Sequence, residues 1–258
     1  VGLLKDCLTE ATSGTHGKDR AKKHARKAEA WIMDEIKRQL ATEAEFNEWA
    51  LRSARRQWST CRACPLGDRR ERVVFGQGPA EPLAFFVGEA PGEVEDSVGE
   101  PFKGPSGALL RAVCRAVGID LRRDVWITNV VGCRPSRNRK PERDERLACM
   151  ARLHVQCATL KPRVILLLGG VALRWLQDVD RAPRVSDWRG RVPCKHWPDT
   201  GPYGRQNLKL VWVTYHPSYV LHQKTKGGKR VALSKLTSDL RKVGRVLELL
   251  NTKTRRGA

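Results

Sequence analysis

Apolar residues gather in four short runs, at 83–87, 125–131, 164–168 and 210–215. Each has the length of a strand, and none alternates apolar with polar, which is the pattern of a strand covered on both faces. Between them, residues 108–117, 142–160 and 170–177 place their apolar side chains at helical spacing. Strands that alternate with helices predict an α/β fold built on a parallel sheet. Residues 231–250 add a closing helix, with Leu233, Leu236, Leu240, Val243 and Leu247 on one stripe. Residues 178–209 are rich in Pro and Gly and read as irregular or as a small hairpin.

The N-terminal part has a different texture. Residues 18–40 are Ala-rich and charged, with Ala30, Trp31, Met33 and Ile36 among few apolar positions. Thr42 to Glu45 has the form of a capping box and opens a second helical run with Phe46, Trp49 and Leu51. Three segments follow: a helical extension over 1–57, a domain over 58–250, and a mobile basic tail over 251–258.

The loop after the first apolar run is the richest in chemistry. Gly88-Glu89-Ala90-Pro91-Gly92-Glu93-Val94-Glu95-Asp96 combines glycines, proline and carboxylates, and feeds a helix through Pro105-Ser106-Gly107. In open α/β sheets, ligands bind beyond the carboxyl ends of the strands. Glycines there bring the backbone close to a small planar ligand. An ordinary strand-to-helix turn with solvated acids is the competing reading of this segment alone.

Charge and cysteine content narrow the field. The net charge is +21, and residues 222–258 hold 11 Lys and Arg against 2 acids. Such a balance predicts attraction to a polyanion, nucleic acid first. No apolar run reaches membrane-span length and the first residues lack the apolar stretch of a secretory signal, so an intracellular protein without a membrane contact is expected. Eight cysteines without such a signal argue against a disulfide scaffold. Cys61-x2-Cys64 forms a close pair, Cys133 follows a strand, and Cys149 lies within a helix. Together they suit a zinc or an iron–sulfur cluster, and the missing second close pair favours the cluster. Cys114 and Cys157 read as small buried apolar residues; Cys7 and Cys194 have no metal spacing.

With these motifs in order, the chain resembles a family 4 uracil-DNA glycosylase, the iron–sulfur branch of that superfamily. The resemblance runs from about Trp58 to Leu250. It rests on Cys61-x2-Cys64-Pro65-Leu66, Val74-Phe75-Gly76-x-Gly78, Gly88-Glu89-Ala90-Pro91-Gly92-Glu93-x-Glu95-Asp96 and Gly99-x-Pro101-Phe102-x-Gly104. It continues through Ile127-Thr128-Asn129-Val130-Val131-x-Cys133-Arg134-Pro135, Asn138-Arg139-x-Pro141, Cys149 and His216-Pro217-Ser218-Tyr219. It implies a three-layer α/β/α domain with a four-stranded parallel sheet, a [4Fe–4S] cluster on Cys61, Cys64, Cys133 and Cys149, and hydrolysis of the bond between uracil and deoxyribose in DNA.

The residues suit that chemistry. Phe102 can stack on a base taken out of the helix. The Asn129 carboxamide can donate to uracil O4 while accepting from N3–H, a pattern cytosine lacks. A His216 N–H can stabilise charge on uracil O2 as the bond breaks. The backbone at Ala90 and Pro91 completes the base pocket. Where the best-known branch has an Asp to position water, this chain has Ala90, so Glu89 and Glu95 are the candidate groups; Glu95 can also crowd thymine's methyl. Pro217, Ser218 and Tyr219 are expected as a loop in the minor groove, with Arg134 and Lys224 on the phosphates.

Three departures from the family pattern stand out. His222 replaces the Arg usual after the His-Pro-Ser loop, which passes its phosphate contact to Lys224, Lys226, Lys229 or Arg230. Gly132 replaces a common Lys, and Lys103 a small apolar residue. The competing function is a relative of the same fold that binds uracil or single-stranded DNA without turnover. One branch traps uracil-DNA through a loop histidine, which residues 134–140 lack. A monomer is expected, with residues 1–57 available to a replication or repair partner.

Overall fold

The computed structural model describes residues 42–177, 184–192 and 210–256. The expected helix over 18–40, together with Cys7 and Cys194, lies outside them. The chain divides into two compact units, Val1–Phe46 and Asn47–Ala258, and the sheet belongs to the second.

The four expected strands are present: β1 (Ala84–Gly88), β2 (Val125–Asn129), β3 (Val164–Leu168) and, last in the chain, Leu210–Thr214. A short strand, β4 (Gly190–Val192), precedes that last one, which is therefore β5. The order is β2-β1-β3-β5-β4. The four expected strands pair in parallel, and β4 joins the β5 edge antiparallel, from the segment read as irregular or a hairpin. Gly88 stands opposite Asn129, and Leu168 opposite Thr214.

Because each strand is buried along both faces, its alternate side chains enter two cores. Phe85, Val87, Trp126, Ile165, Leu167, Val211 and Val213 face one side. There they meet Leu51 and Ala54 of α1 (Glu43–Ser59). α2 (Glu93–Val98) and α3 (Pro105–Ala116) follow β1, and α4 (Arg143–Leu160) follows β2. Leu153 and Cys157 of α4 complete the first core, with Val171 to Leu173 of α5 (Gly170–Gln177). Phe86, Ile127, Leu166, Leu168 and Trp212 face the other side, against Leu110 and Val113 of α3. A short α6 (Val185–Trp188) precedes β4. α7 (Pro217–Leu221) and the long α8 (Lys226–Arg256) end the described chain. Leu236, Leu240, Val243 and Leu247 of α8 close the second core. The result is a three-layer α/β/α domain.

Several boundaries differ from expectation. From Asn47 onward α1 belongs to the sheet domain, because Leu51 and Ala54 are core residues and Asn47 Nδ2 donates to Ala80 O at 3.0 Å. α8 continues to Arg256, so the residues expected as a tail from 251 extend a helix. Leu233 is exposed and leaves the stripe. The segment from Pro217, expected as a loop, is a short helix capped by His216. α4 starts as expected, with Glu142 N–H donating to Glu145 Oε2 at 2.7 Å. No helix among the described residues is long and apolar enough to cross a membrane.

Candidate active site and cysteine centre

The carboxyl ends of β1, β2 and β5 open onto one cleft of about 560 Å³, lined by Glu89, Ala90, Pro91, Phe102, Asn129 and His216 among others. All six uracil-pocket candidates therefore meet at one place, where the parallel sheet predicts a ligand.

The first wall is set by backbone geometry. Phe102 has φ +57°, a left-handed conformation that a bulky side chain rarely adopts. Several contacts hold it there. Arg111 Nη1 donates to Phe102 O. Gly107 passes so close that a Cβ on it would lie 1.6 Å from the same oxygen. Glu95 clamps both sides: its Oε1 accepts from Gly104 N–H at 2.7 Å and its Oε2 from Gly92 N–H at 3.1 Å. Both Glu95 oxygens are thus committed to the two loops that flank the cleft. Gly88 forms part of the floor, where a Cβ would approach Asn129 Oδ1 at 2.4 Å and Phe102 Cζ at 2.5 Å.

The two polar strand-end residues complete the cleft. Asn129 is buried, and among the described residues no hydrogen bond engages its carboxamide. Its carbonyl accepts from Arg152 Nη2. The His216 ring lies 5.9 Å from the Phe102 ring, tilted by 33°. Ser218 N–H donates to His216 Nδ1 at 3.2 Å, and the Ser218 hydroxyl lies 2.7 Å from the same nitrogen. Nδ1 is thereby an acceptor, which puts the ring proton on Nε2. Burial, with a smaller contribution from His222, lowers the His216 pKa to about 4, so the ring is neutral at physiological pH. Burial raises the Glu89 pKa, against the opposing charges of Lys140 and Arg174.

Of the expected DNA contacts, Ser218 reaches the cleft, and Pro217 is buried in the same turn. Tyr219 is exposed and stacks on Tyr215 at 4.7 Å and 14°. Arg134 pairs with Glu93 at 3.4 Å and donates to Asn138 Oδ1 at 2.9 Å. Lys224 is exposed on the approach to α8. Neither Arg134 nor Lys224 lines the cleft; Arg139 and His222 do. Arg139 stands in the Asn138-Arg139-x-Pro141 motif, which was the available signal for it.

The four candidate ligand cysteines are brought together as free thiols. Burial raises the Cys64 pKa, and the neighbouring Cys149 and Cys61 raise it further. Burial pushes Cys133 up to about 11, with Arg70 opposing and Cys149 and Cys64 adding to the shift. Gly132 N–H and Arg152 Nε donate to Cys149 Sγ at 3.4 and 3.3 Å. Arg70 Nη1 is buried and has no hydrogen-bond partner among the described residues. No group of three or more His, Cys, Asp or Glu among the described residues closes around a single ion. Cys114 and Cys157 are buried in the cores, with pKa values pushed by burial to about 12.

Comparison with known proteins adds a family. A family model, the uracil DNA glycosylase superfamily, matches residues 75–241. A type-4 uracil-DNA glycosylase of Thermotoga maritima is 39% identical over 173 residues, 67% of this chain and 84% of the relative. That of Pyrobaculum aerophilum is 39% identical over 165 residues, 63% of this chain and 80% of the relative. That of Archaeoglobus fulgidus is 34% identical over 171 residues, 65% and 81% respectively.

Proposed function

The chain belongs to the uracil DNA glycosylase superfamily, and on that premise we propose how its cleft releases uracil from DNA. The enzyme hydrolyses the N-glycosyl bond of uracil in DNA, a repair reaction. The base must leave the stack to reach the cleft. Phe102 then covers one face of the ring, and the free Asn129 carboxamide donates to O4 and accepts from N3–H. Cytosine, with an amino group and an unprotonated N3, mismatches both ends of the carboxamide in the orientation that serves uracil, which is a basis for rejection wherever the bound state holds that orientation.

As the bond breaks, negative charge collects on uracil O2. A neutral His216 presents its Nε2–H there and stabilises the anion without transferring a proton. The single observation that carries this role is the Ser218 N–H on Nδ1, which fixes the proton on the opposite nitrogen. The sugar cation demands little of its nucleophile. Glu89, in the cleft and under the cationic influence of Lys140 and Arg174, holds the water. Glu95 is read as the clamp that sets the Phe102 loop, since two backbone N–H groups occupy it.

Cys61, Cys64, Cys133 and Cys149 would hold a [4Fe–4S] cluster. The four are free thiols, with Cys64 electrostatically coupled to Cys149 and Cys61, and Cys133 to Cys149 and Cys64, which is the donor set such a cluster takes. Arg70 Nη1, beside Cys133 and without a partner among the described residues, would supply a donor to that group. When bound, the cluster supplies a structural pin and no step of hydrolysis. The basic α7–α8 approach, with Lys224, Lys226, Lys229 and Arg230 exposed, is assigned to phosphate contacts; residues 1–57 remain a candidate contact for a repair partner.

The test is alkali-revealed strand cleavage of a uracil-containing oligonucleotide by the wild type and by His216→Ala, with thymine and cytosine controls. Breaks confined to uracil and lost in the variant are expected. Tight, salt-sensitive binding without breaks would replace turnover with the binding-protein reading.

A further inference from the structure

Arg152 has no part in the chemistry just described, yet it is the most heavily engaged side chain near the site. It lies three residues after Cys149 on α4 and is 1% exposed. Its Nη1 donates to Phe75 O at 2.6 Å and Thr128 Oγ1 at 3.1 Å. Its Nη2 donates to Asn129 O and to Val130 O, the latter at 3.2 Å. Its Nε donates to Cys149 Sγ at 3.3 Å. A guanidinium carries five N–H donors in a planar fork, and here each has an acceptor. Four of the five go to the strand end that carries Asn129 and to the Phe75 segment beside it. The fifth goes to a cysteine.

The acceptors pose an electrostatic problem. A buried cation without a counter-charge is strongly unfavourable. Among the described residues no carboxylate pairs with Arg152, and Cys149 Sγ is its one contacting group able to carry negative charge. Gly132 is part of the same joint: its N–H also donates to Cys149 Sγ, and a Cβ on it would stand 3.1 Å from Arg152 Nε.

We propose that Arg152 is a positioning residue that couples the cysteine centre to base recognition. It is the counter-charge of the Cys149 thiolate in the loaded centre, and from that anchor it fixes the backbone of residues 128–130, so that the Asn129 carboxamide meets the base. This rests on the reading that the four cysteines hold an anionic cluster.

The experiment uses the full chain as wild type, Arg152→Lys, Arg152→Met, Asn129→Ala and the double variant Arg152→Lys/Asn129→Ala. Iron and sulfide content, the cluster's midpoint potential and single-turnover uracil release are measured on each. Lys keeps the charge and loses the fork. Iron content and potential should hold, while uracil release falls about 10- to 100-fold, as for other groups that orient a ligand from behind. Met loses both: the potential falls, because a positive charge next to the thiolate has gone, and the rate falls at least as far. In the Asn129→Ala background, Arg152→Lys should change the rate by no more than about twofold, since it acts through Asn129. Thr128→Val, which removes one acceptor and keeps the charge, replaces the Met variant if that fails to fold; it should slow release with iron content unchanged. Effects of Arg152→Lys and Asn129→Ala that multiply in full, or an Arg152→Lys enzyme with wild-type rate, would overturn the coupling while the centre stands. A wild-type chain that purifies from anaerobic expression without iron would overturn the cysteine reading, and the counter-charge with it.

Discussion

Asn129 and His216 stand at the ends of two parallel strands and face one cleft, yet they are held in opposite ways. Asn129 is held by its backbone, whose carbonyl accepts from the buried Arg152, and among the described residues no partner engages its carboxamide. His216 is held by its side chain, with Nδ1 clamped by Ser218 two residues on, and Nε2 left free. Each clamp fixes the rear of a group and leaves its working edge bare. Their reach differs. The His216 clamp is local to one turn, whereas the Asn129 clamp runs through the core to a cysteine on α4. Damage to the first should stay in the cleft, and damage to the second should reach the cysteine centre.

Removing the working edges themselves should have the largest effect. His216→Ala and Asn129→Ala should each slow single-turnover uracil release by roughly 10²- to 10³-fold, the scale of a lost preorganised donor, with iron content unchanged. Equal rates in either variant and the wild type would dissolve the comparison.

The Phe102 wall, set by backbone geometry, should respond through stability. In Gly107→Ala the added carbon meets Phe102 O at 1.6 Å, where backbone cannot yield cheaply. A loss of roughly 3 kcal/mol or more is expected, at the upper end of single substitutions, read from the urea midpoint at constant slope.

Breaking the local clamp should cost less. Ser218→Ala removes the hydroxyl at Nδ1 and keeps the backbone N–H, so about 1 kcal/mol, or five- to tenfold in rate, is expected with no change in iron content or potential. A change in potential would show that the two clamps are not separate.

The smallest effect is a flat line. The His216 pKa is lowered to about 4 by burial, so its neutral form prevails at every pH above that value. The rate of uracil release should show no inflection from His216 near the ordinary histidine value of about 6.5; as pH falls, Glu89, whose pKa burial raises, takes up its proton before His216 does. The sign for stability is the matching one: the unfolded chain takes up the proton first, so His216 favours unfolding increasingly as pH drops through that interval.

The strands were legible because burial on both faces leaves unbroken apolar runs, and Asn129 and His216 could be placed because they end such runs. The helices α4 and α5 followed from their spacing. Other features were hidden for a common reason. Arg152 in a helix reads as a solvated charge, and three of its five acceptors are backbone carbonyls brought to it only by the tertiary fold. Glu95 reads as one acid among several until Gly92 and Gly104 turn their N–H groups onto it. The membership of α1 in the core rests on Leu51 and Ala54, two residues whose partners lie far along the chain. α8 runs past Leu250, where Asn251 Nδ2 donates to Asp124 Oδ1 at 3.3 Å, a partner far along the chain.

The most direct measurement is nitrogen NMR of the His216 ring in the full chain, from neutral pH down towards the lowered pKa of about 4. The account predicts a ring that stays neutral through the ordinary histidine range, protonated at Nε2 with Nδ1 an acceptor, and takes up its second proton only near the lowered value. An imidazolium already formed near pH 6.5, or a proton on Nδ1, would contradict it, because His216 would then have no fixed neutral donor to offer the departing base.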